Sequence, residues 1–99
     1  LTKENLRQII DLLLKDIHAK LAEKDAKLVV TDEAKELILE KGYDKRYGAR
    51  PLKRAIQKLL EDKLSILSLT GQITSGCVIT ADRKDNEITL TAVSNLIEN

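Results

Sequence analysis

Aromatic side chains are almost absent from this chain of 99 residues, which has two tyrosines, Tyr43 and Tyr47, and neither Trp nor Phe. Proteins that bind single-stranded nucleic acid stack bases on aromatic rings, so that class has almost nothing to be built from here. The 17 basic and 16 acidic residues leave a net charge of +1, which is too small to attract nucleic acid or a membrane over the whole surface. Any site for an anion must therefore be local.

Cysteine and histidine are equally scarce, with Cys77 and His18 the sole examples. A single cysteine cannot form an intrachain disulfide, and one cysteine with one histidine provides too few ligands for a zinc site of the Cys/His type. We expect Cys77 to be a small buried hydrophobic residue and His18 to lie at or near the surface. No apolar run reaches the roughly 18 to 20 residues of a membrane-spanning helix, and no signal-peptide layout is present. These absences favour a cytoplasmic protein with no membrane partner.

The sequence contains the pattern of three helices. Thr2 is a plausible N-cap for a first helix that ends near Glu23, and Thr31 is one for a second helix that runs to about Lys41. Gly42 then stands where a left-handed residue would stop the second helix. A third helix starts with Pro51 in its first position and runs toward Leu69, with Gly71 ending it. Tyr43 and Tyr47 are expected to pin the connector between the second and third helices to the core.

Two apolar stripes define the buried faces of the long helices. The first is Leu6, Ile9, Ile10, Leu13, Leu14, Ile17 and Leu21, and the second is Leu52, Ala55, Ile56, Leu59, Leu60, Leu64 and Leu67. Leu12 lies about 140° from the centre of the first stripe, so it either faces a partner or is a singly exposed leucine.

Residues rich in Val, Ile and Thr predict three strands. Lys27 to Val30 is one, and Cys77 to Ala81 and Glu87 to Ala92 form a hairpin around a turn at 82–86. The expected fold is α+β, with three helices packed on a small three-stranded sheet in the order α-β-α-α-β-β. Residues 1–93 would form one domain, and residues 94–99 a frayed tail. Because the chain begins at Leu1 without a methionine, we also expect it to be a piece of a larger protein.

A cluster of basic residues surrounds the predicted start of the third helix. Arg50 precedes Pro51, which favours the extended backbone of an N-cap, and it points away from the apolar stripe. Arg54 shares that face. A guanidinium beside the free N–H groups of a helix N-terminus suits a phosphate or a carboxylate. The alternative is a solvated basic face, since runs of charge at helix starts are common, and spacing alone does not name a ligand.

Residues 42–57 resemble a known signature. The run GYDKRYGARPLKRAIQ is similar to the sensor-2 motif of the Clp-family AAA+ ATPases, G-[YF]-[DS]-x-x-[YF]-G-A-R-P-L-[KR]-R. The resemblance extends to both sides and covers the chain from Leu1 to about Leu90. It indicates the C-terminal small subdomain, or lid, of the last ATPase module in a Clp chaperone or unfoldase.

The resemblance implies part of an enzyme. In this family ATP lies between a large subdomain, which carries the Walker motifs and holds Mg²⁺, and the small subdomain that closes over it. No G-x-x-x-x-G-K-[ST] motif occurs in the chain, so alone it should not hydrolyse ATP. Arg50 matches the arginine that contacts the γ-phosphate, and Ala49 would lie beside the nucleotide. Leu1 and Ile9 match apolar residues that contact the adenine, although Ile9 also fits the core stripe.

The family also implies partners. Its members form hexamers in which the small subdomain packs on the large subdomains of its own and of the neighbouring subunit, and they unfold proteins, in some cases for a protease. Leu12, Leu39, Arg54 and the exposed part of the hairpin are the candidate subunit contacts. One departure is that Asp62 is followed by Lys63, where many relatives have a proline, so the third helix should be less kinked here.

Two other functions compete with the lid. A stand-alone adaptor could use the same fold to bind a protein and have no nucleotide role. A nucleic-acid-binding domain could use the face of Arg50, Arg54 and Lys58, but the near-zero net charge and the lack of interleaved aromatics count against it.

Overall fold

The computed structural model describes residues 2–94. The helices are α1 (Lys3–Glu23), α2 (Asp32–Gly42), α3 (Leu52–Ile56) and α4 (Asp62–Leu69), and the strands are β1 (Lys27–Val30), β2 (Cys77–Lys84) and β3 (Glu87–Ser94). A π-helical segment, Gln57–Glu61, joins α3 to α4 without a break, so residues 2–94 contain three helical stretches. The predicted α+β class and the order α-β-α-α-β-β are confirmed. Of the predicted tail, Ser94 ends β3, and the rest lies outside the described residues.

The three strands form a mixed sheet in the order β1-β2-β3. β1 runs parallel to β2, with Leu28 opposite Ile79, and β2 runs antiparallel to β3, with Ile79 opposite Ala92. The predicted hairpin is confirmed, but its strands are longer than expected, because Lys84 pairs directly with Glu87. Asp85 has a φ of 57°, a conformation that a short polar side chain tolerates, and this allows a turn of two residues in place of the predicted five.

Both predicted threonine caps are present. The Thr2 hydroxyl accepts a hydrogen bond from the backbone N–H of Asn5 at 3.1 Å, and the Asn5 side chain accepts one from the Thr2 N–H at 3.2 Å. The Thr31 hydroxyl caps α2 by accepting from the N–H of Ala34 at 3.1 Å, and it donates to Asp82 at 2.9 Å. Thr31 therefore starts α2 and also ties it to β2.

Gly42 does not stop α2 through a left-handed conformation, so that expectation is wrong. It is the last residue of α2, and the positive φ angles among the described glycines belong to Gly48, Gly71 and Gly76. A Cβ on Gly42 would lie 2.7 Å from Cδ2 and 2.9 Å from Cα of Leu52. Close approach of α3 to the end of α2 is thus the reason for glycine at this position. Gly71, with a φ of 74°, follows α4 as predicted.

The core lies where the helices meet one face of the sheet. Its α1 members all belong to the predicted stripe, and Cys77 is buried as expected, whereas His18 is exposed. The buried side chains of the third helical stretch are Leu52, Ala55, Ile56, Leu60 and Leu64. Leu59 and Leu67 are only partly buried against this core.

The π-helical segment explains which leucines of the third stretch face inward. Leu52, Ile56, Leu60 and Leu64 are spaced by four residues, and in a regular α-helix each such step would rotate the side chain by about 40°. The N–H of Asp62 donates to the carbonyl of Gln57, five residues earlier, which widens the turn and reduces that rotation. The helix continues through Asp62 and Lys63, where no proline interrupts it.

Ion pairs join α2 to its neighbours. Glu36 accepts from Arg7 at 3.1 Å and from Lys3 at 3.0 Å, and Glu40 accepts two hydrogen bonds from Arg83 at 2.7 and 3.0 Å. The hydrogen bonds from Lys3 and then Arg7 lower the pKa of Glu36, and the hydrogen bond from Arg83 lowers the pKa of Glu40. The same contacts raise the pKa of Arg7 and of Arg83.

These shifts predict how stability depends on pH. A carboxylate whose pKa is lower in the folded state than in the unfolded state stabilises the fold above its unfolded pKa, and this stabilisation is lost as pH falls through the folded pKa. We therefore expect the urea midpoint to fall below about pH 4.5, and Glu40→Gln to reduce that fall. Glu33→Gln is the control, since Glu33 forms no ion pair within residues 2–94. Equal pH dependence in Glu40→Gln and the unmodified chain would contradict the assignment.

Candidate functional site

Arg50 stands at the corner of a tight turn. Its own N–H donates to the carbonyl of Tyr47 at 3.2 Å, and the N–H of Leu52 donates to the carbonyl of Ala49 at 3.0 Å. Its side chain is exposed and forms neither a hydrogen bond nor an ion pair with any residue between 2 and 94. The backbone is thus fixed while the guanidinium is free to meet an external anion.

The third helical stretch begins one residue later than predicted. Pro51, with φ −73° and ψ −5°, is the N-cap and Leu52 the first helical residue, so Arg50 precedes the cap. In the first turn, the N–H groups of Lys53 and Arg54 form no hydrogen bond within the described part of the chain. Free donors and two nearby guanidinium groups favour a negative charge in front of this turn.

The connector before Arg50 is held by Asp44. The Asp44 carboxylate accepts from the N–H of Arg46 at 2.7 Å and of Tyr47 at 3.3 Å, and the backbones of Asp44 and Gly48 exchange hydrogen bonds at 3.2 and 2.6 Å. Tyr43 and Tyr47 are 44% and 57% exposed. The expectation that their rings pin the connector to the core is therefore wrong, because a polar side chain and the backbone close this loop.

Leu52 and Ile56, at 0% and 3% exposure, anchor the helix that follows Arg50. They belong, with Leu59, to the apolar stripe of the third helix, which the predicted fold packs on the sheet. Instead α3 packs mainly on α2, and the π-helical segment contacts β3. The reason is Gly42, which lets the end of α2 approach Leu52 closely. A displacement of Arg50 would consequently reach the sheet through α2 as well as through the π-helical segment.

The other candidate residues are distributed over several surfaces. Ala49 and Ile9 are half-buried and pack against the same core, while Leu12 is 61% exposed on α1 and Arg54 is exposed on α3. Leu1 lies outside the described residues.

Leu39 is 7% exposed, although it was proposed as a subunit contact because it lies off the helix stripe. α2 packs against α1, α3 and the sheet, so it buries more than one face and encloses this side chain. Its expected exposure is wrong, and within this domain the side chain is not available to a partner.

Lys41 is a site residue that sequence reasoning did not single out. It lines a cleft between the end of α2 and α3 together with Arg54 and Lys58, over an apolar floor of Pro51, Ala55 and Leu59. The available signal was its position in the last turn of α2, next to the glycine that brings the two helices together.

Residues 2–94 contain neither a metal-binding cluster of side chains nor a membrane-spanning helix. Nowhere in this span do three or more His, Cys, Asp or Glu side chains gather closely enough to hold a metal ion. No helix within it is long and apolar enough to span a bilayer.

The family model that describes the C-terminal D2-small domain of ClpB protein matches residues 1–81 of this chain. The chain belongs to this family. Two relatives of this D2-small domain are the ATP-dependent Clp protease ATP-binding subunits ClpC of Staphylococcus aureus (strain USA300) and of Staphylococcus epidermidis (strain ATCC 12228), which are 46% and 47% identical over 87 residues. These alignments cover 88% of the D2-small domain and 11% of each relative. The chain thus is similar to the C-terminal small part of a Clp ATPase and spans 11% of the length of these relatives.

The family match includes the candidate site. Ile9, Ala49 and Arg50 fall within residues 1–81, as does the cleft lined by Lys41, whereas β3 lies beyond the matched span. The resemblance noted for residues 42–57 is therefore confirmed as a family relationship, and the role of each side chain is a separate question.

Proposed function

We propose that this D2-small domain is the nucleotide-sensing lid of a hexameric, ATP-dependent Clp chaperone or unfoldase. In this proposal Arg50 contacts the γ-phosphate of ATP held by a large subdomain of the same protein. The single observation that carries it is that Arg50 is exposed and unpaired within residues 2–94, on a backbone fixed by the turn before α3. The match of Gly48-Ala49-Arg50-Pro51 to the family motif supports the assignment.

The arrangement suits a switch between the ATP and ADP states. A guanidinium makes strong, charge-assisted hydrogen bonds to a phosphate, and hydrolysis removes the group that Arg50 contacts. The lid then has different affinities for the two states, which is the requirement for a nucleotide to shift its position. Buried Leu52 and the close contact of Gly42 join Arg50 to α2, so the domain would turn as one body.

The other proposed site residues are apolar residues near the nucleotide and residues that contact the neighbouring subunit. Ala49 would lie beside the nucleotide, and Leu1 and Ile9 against the adenine, with Mg²⁺ held by the large subdomain. Exposed Leu12 and Arg54 are the proposed contacts to the large subdomain of the neighbouring subunit. The whole protein would act in the cytoplasm on unfolded or aggregated proteins, with or without a protease partner.

Arg50→Ala in the full-length ATPase tests this proposal. Hydrogen bonds to charged groups contribute about 1.5 to 3 kcal/mol, so we expect ATP turnover, or its coupling to substrate unfolding, to fall about 10- to 100-fold. Arg50→Lys should recover only part, because lysine keeps the charge and loses the planar fork. Lys53→Ala, at an exposed neighbour, is the control. Normal turnover, hexamer formation and unfolding activity in Arg50→Ala would refute the proposal.

A stand-alone adaptor is the second candidate function. Ile66 and Leu69, which lie one turn apart on α4, are 58% and 86% exposed and would together offer an apolar surface to a protein partner, whether or not a nucleotide is involved. An adaptor would bind its partner equally well with and without Arg50, so the same variant separates the two functions.

A further inference from the structure

Charge is strongly segregated along this nearly neutral chain. The segment 41–58 has seven basic residues and one acidic residue, Asp44, giving a net charge of +6, whereas the chain as a whole has +1 and its remainder therefore −5. We call this segment the basic segment. Its cations are Lys41, Lys45, Arg46, Arg50, Lys53, Arg54 and Lys58.

None of the cations of the basic segment is held by a carboxylate of the described chain. Elsewhere in residues 2–94, ion pairs are formed by Lys3, Arg7, Lys35, Lys63 and Arg83. None of the seven in the basic segment makes an ion pair with a described residue. Five lysines elsewhere also lack an ion pair within residues 2–94, but the basic segment differs from the rest of the chain because it combines seven unpaired cations with a single carboxylate in 18 residues.

Three of these cations surround an apolar cleft of about 270 Å³. Lys41 comes from the end of α2, Arg54 from α3 and Lys58 from the π-helical segment, while Pro51, Ala55 and Leu59 line the space between them. Pro51 and Leu59 are half-buried, so their apolar surface is accessible to a ligand. The approach of α2 to α3 at Gly42 sets the width of the cleft.

We propose that this cleft binds an acidic protein segment in which carboxylates flank an aliphatic side chain. The carboxylates would pair with Lys41, Arg54 and Lys58, and the aliphatic group would cover the floor. Charge complementarity favours this occupant over a nucleic acid, because the −5 charge on the rest of the chain repels a long polyanion, whereas a short acidic segment meets only the basic segment. The inference extends the proposed subunit contact of Arg54. It rests on the proposed function in one respect only, namely that a neighbouring subunit would supply the acidic segment.

A peptide-binding experiment tests this inference on the 99-residue chain. The probe is a fluorescein-labelled peptide with Glu-Glu-Leu-Glu-Glu between Gly-Ser flanks, and its binding is followed by fluorescence anisotropy at about 0.05 M and 0.15 M salt. We expect saturable binding that the double variant Arg54→Glu/Lys58→Glu weakens at least about 10-fold. Peptides with Gln for Glu, or with Gly for Leu, should bind more weakly. Amide NMR shifts should concentrate at Lys41 and in residues 52–59.

A matched variant separates a site from a general charge effect. Lys27→Glu/Lys84→Glu changes the net charge by the same amount at two exposed lysines outside the basic segment, and it should alter the affinity less than about 3-fold. Circular dichroism verifies that both double variants fold.

Three results would overturn the inference: no saturable binding of the peptide, equal losses in the two double variants, or tighter binding of a single-stranded oligonucleotide at the same residues. The peptide assay contains no nucleotide, and the Arg50→Ala assay measures ATP turnover, so failure of one proposal leaves the result of the other intact.

Discussion

Leu60→Ala is expected to lower the free energy of unfolding by about 2 to 5 kcal/mol, the range for removing a large aliphatic side chain from a packed core. Leu60 is 0% exposed and belongs to the π-helical segment that contacts β3. Truncation there leaves a cavity between the third helical stretch and the sheet. Because small domains have a total stability of about 5 to 15 kcal/mol, this is a large fraction. Urea denaturation near neutral pH measures the change.

Leu59→Ala is the matched control for this prediction. It removes the same atoms from the adjacent residue of the same helical stretch, but Leu59 is half-buried and borders the cleft of the basic segment. We expect it to cost less than half as much as Leu60→Ala, since less apolar surface is returned to water. Equal costs for the two variants would mean that the third stretch turns as a regular α-helix, with both leucines in the core.

The contrast between these leucines shows which parts of the fold the sequence predicts. The threonine caps and the order of elements follow from local chemistry, such as the hydroxyls of Thr2 and Thr31, and they were predicted correctly. The apolar stripe of the third helix includes both Leu59 and Leu60, and a period of 3.6 residues does not separate them. The π-helical segment does separate them, and it contacts β3, a neighbour in space that no local pattern in the sequence predicts.

The candidate site also has one part that could be predicted from the sequence and another that could not. The outward direction of Arg50 was predictable, because Pro51 and the apolar stripe that follows it define the start of a helix and its buried face. The environments of Tyr43, Tyr47 and Leu39 were not, because each depends on what surrounds it in three dimensions. Asp44 closes the connector without the tyrosine rings, and packing of α2 on three neighbours buries Leu39.

Lys41 and Arg54 show a second reason why the site could not be fully predicted from the sequence. Net charge and sequence position place both in a basic region, but they do not show that Lys3, Arg7 and Arg83 are paired within the fold and that Lys41 and Arg54 are not. Pairing depends on which helices lie side by side, and so does the cleft that the two residues share. The close contact at Gly42 is responsible for that arrangement, which makes this glycine the position where fold and site can be tested together.

Gly42→Val is expected to destabilise the domain by about 3 kcal/mol or more, and Gly42→Ala by about 1 to 3 kcal/mol, as for other overpacked cores. Helix propensity alone predicts the opposite sign, since alanine is favoured over glycine by about 1 kcal/mol inside a helix. The difference is the contact with Leu52, whose Cα would be 2.9 Å from the new Cβ and cannot move without shifting the backbone of α3.

Denaturant unfolding of the Gly42 variants, with Lys41→Ala as an exposed control on the same helix, measures the stability change. Displacement of α3 would also widen the cleft, because Lys41 lies on one side of the contact between Gly42 and Leu52, and Arg54 and Lys58 lie on the other. We therefore expect Gly42→Ala, measured where it remains folded, to weaken binding of the acidic peptide. Stabilisation by Gly42→Ala would show that α2 and α3 do not approach as closely as described, and the geometry of the cleft would then have to be revised with it.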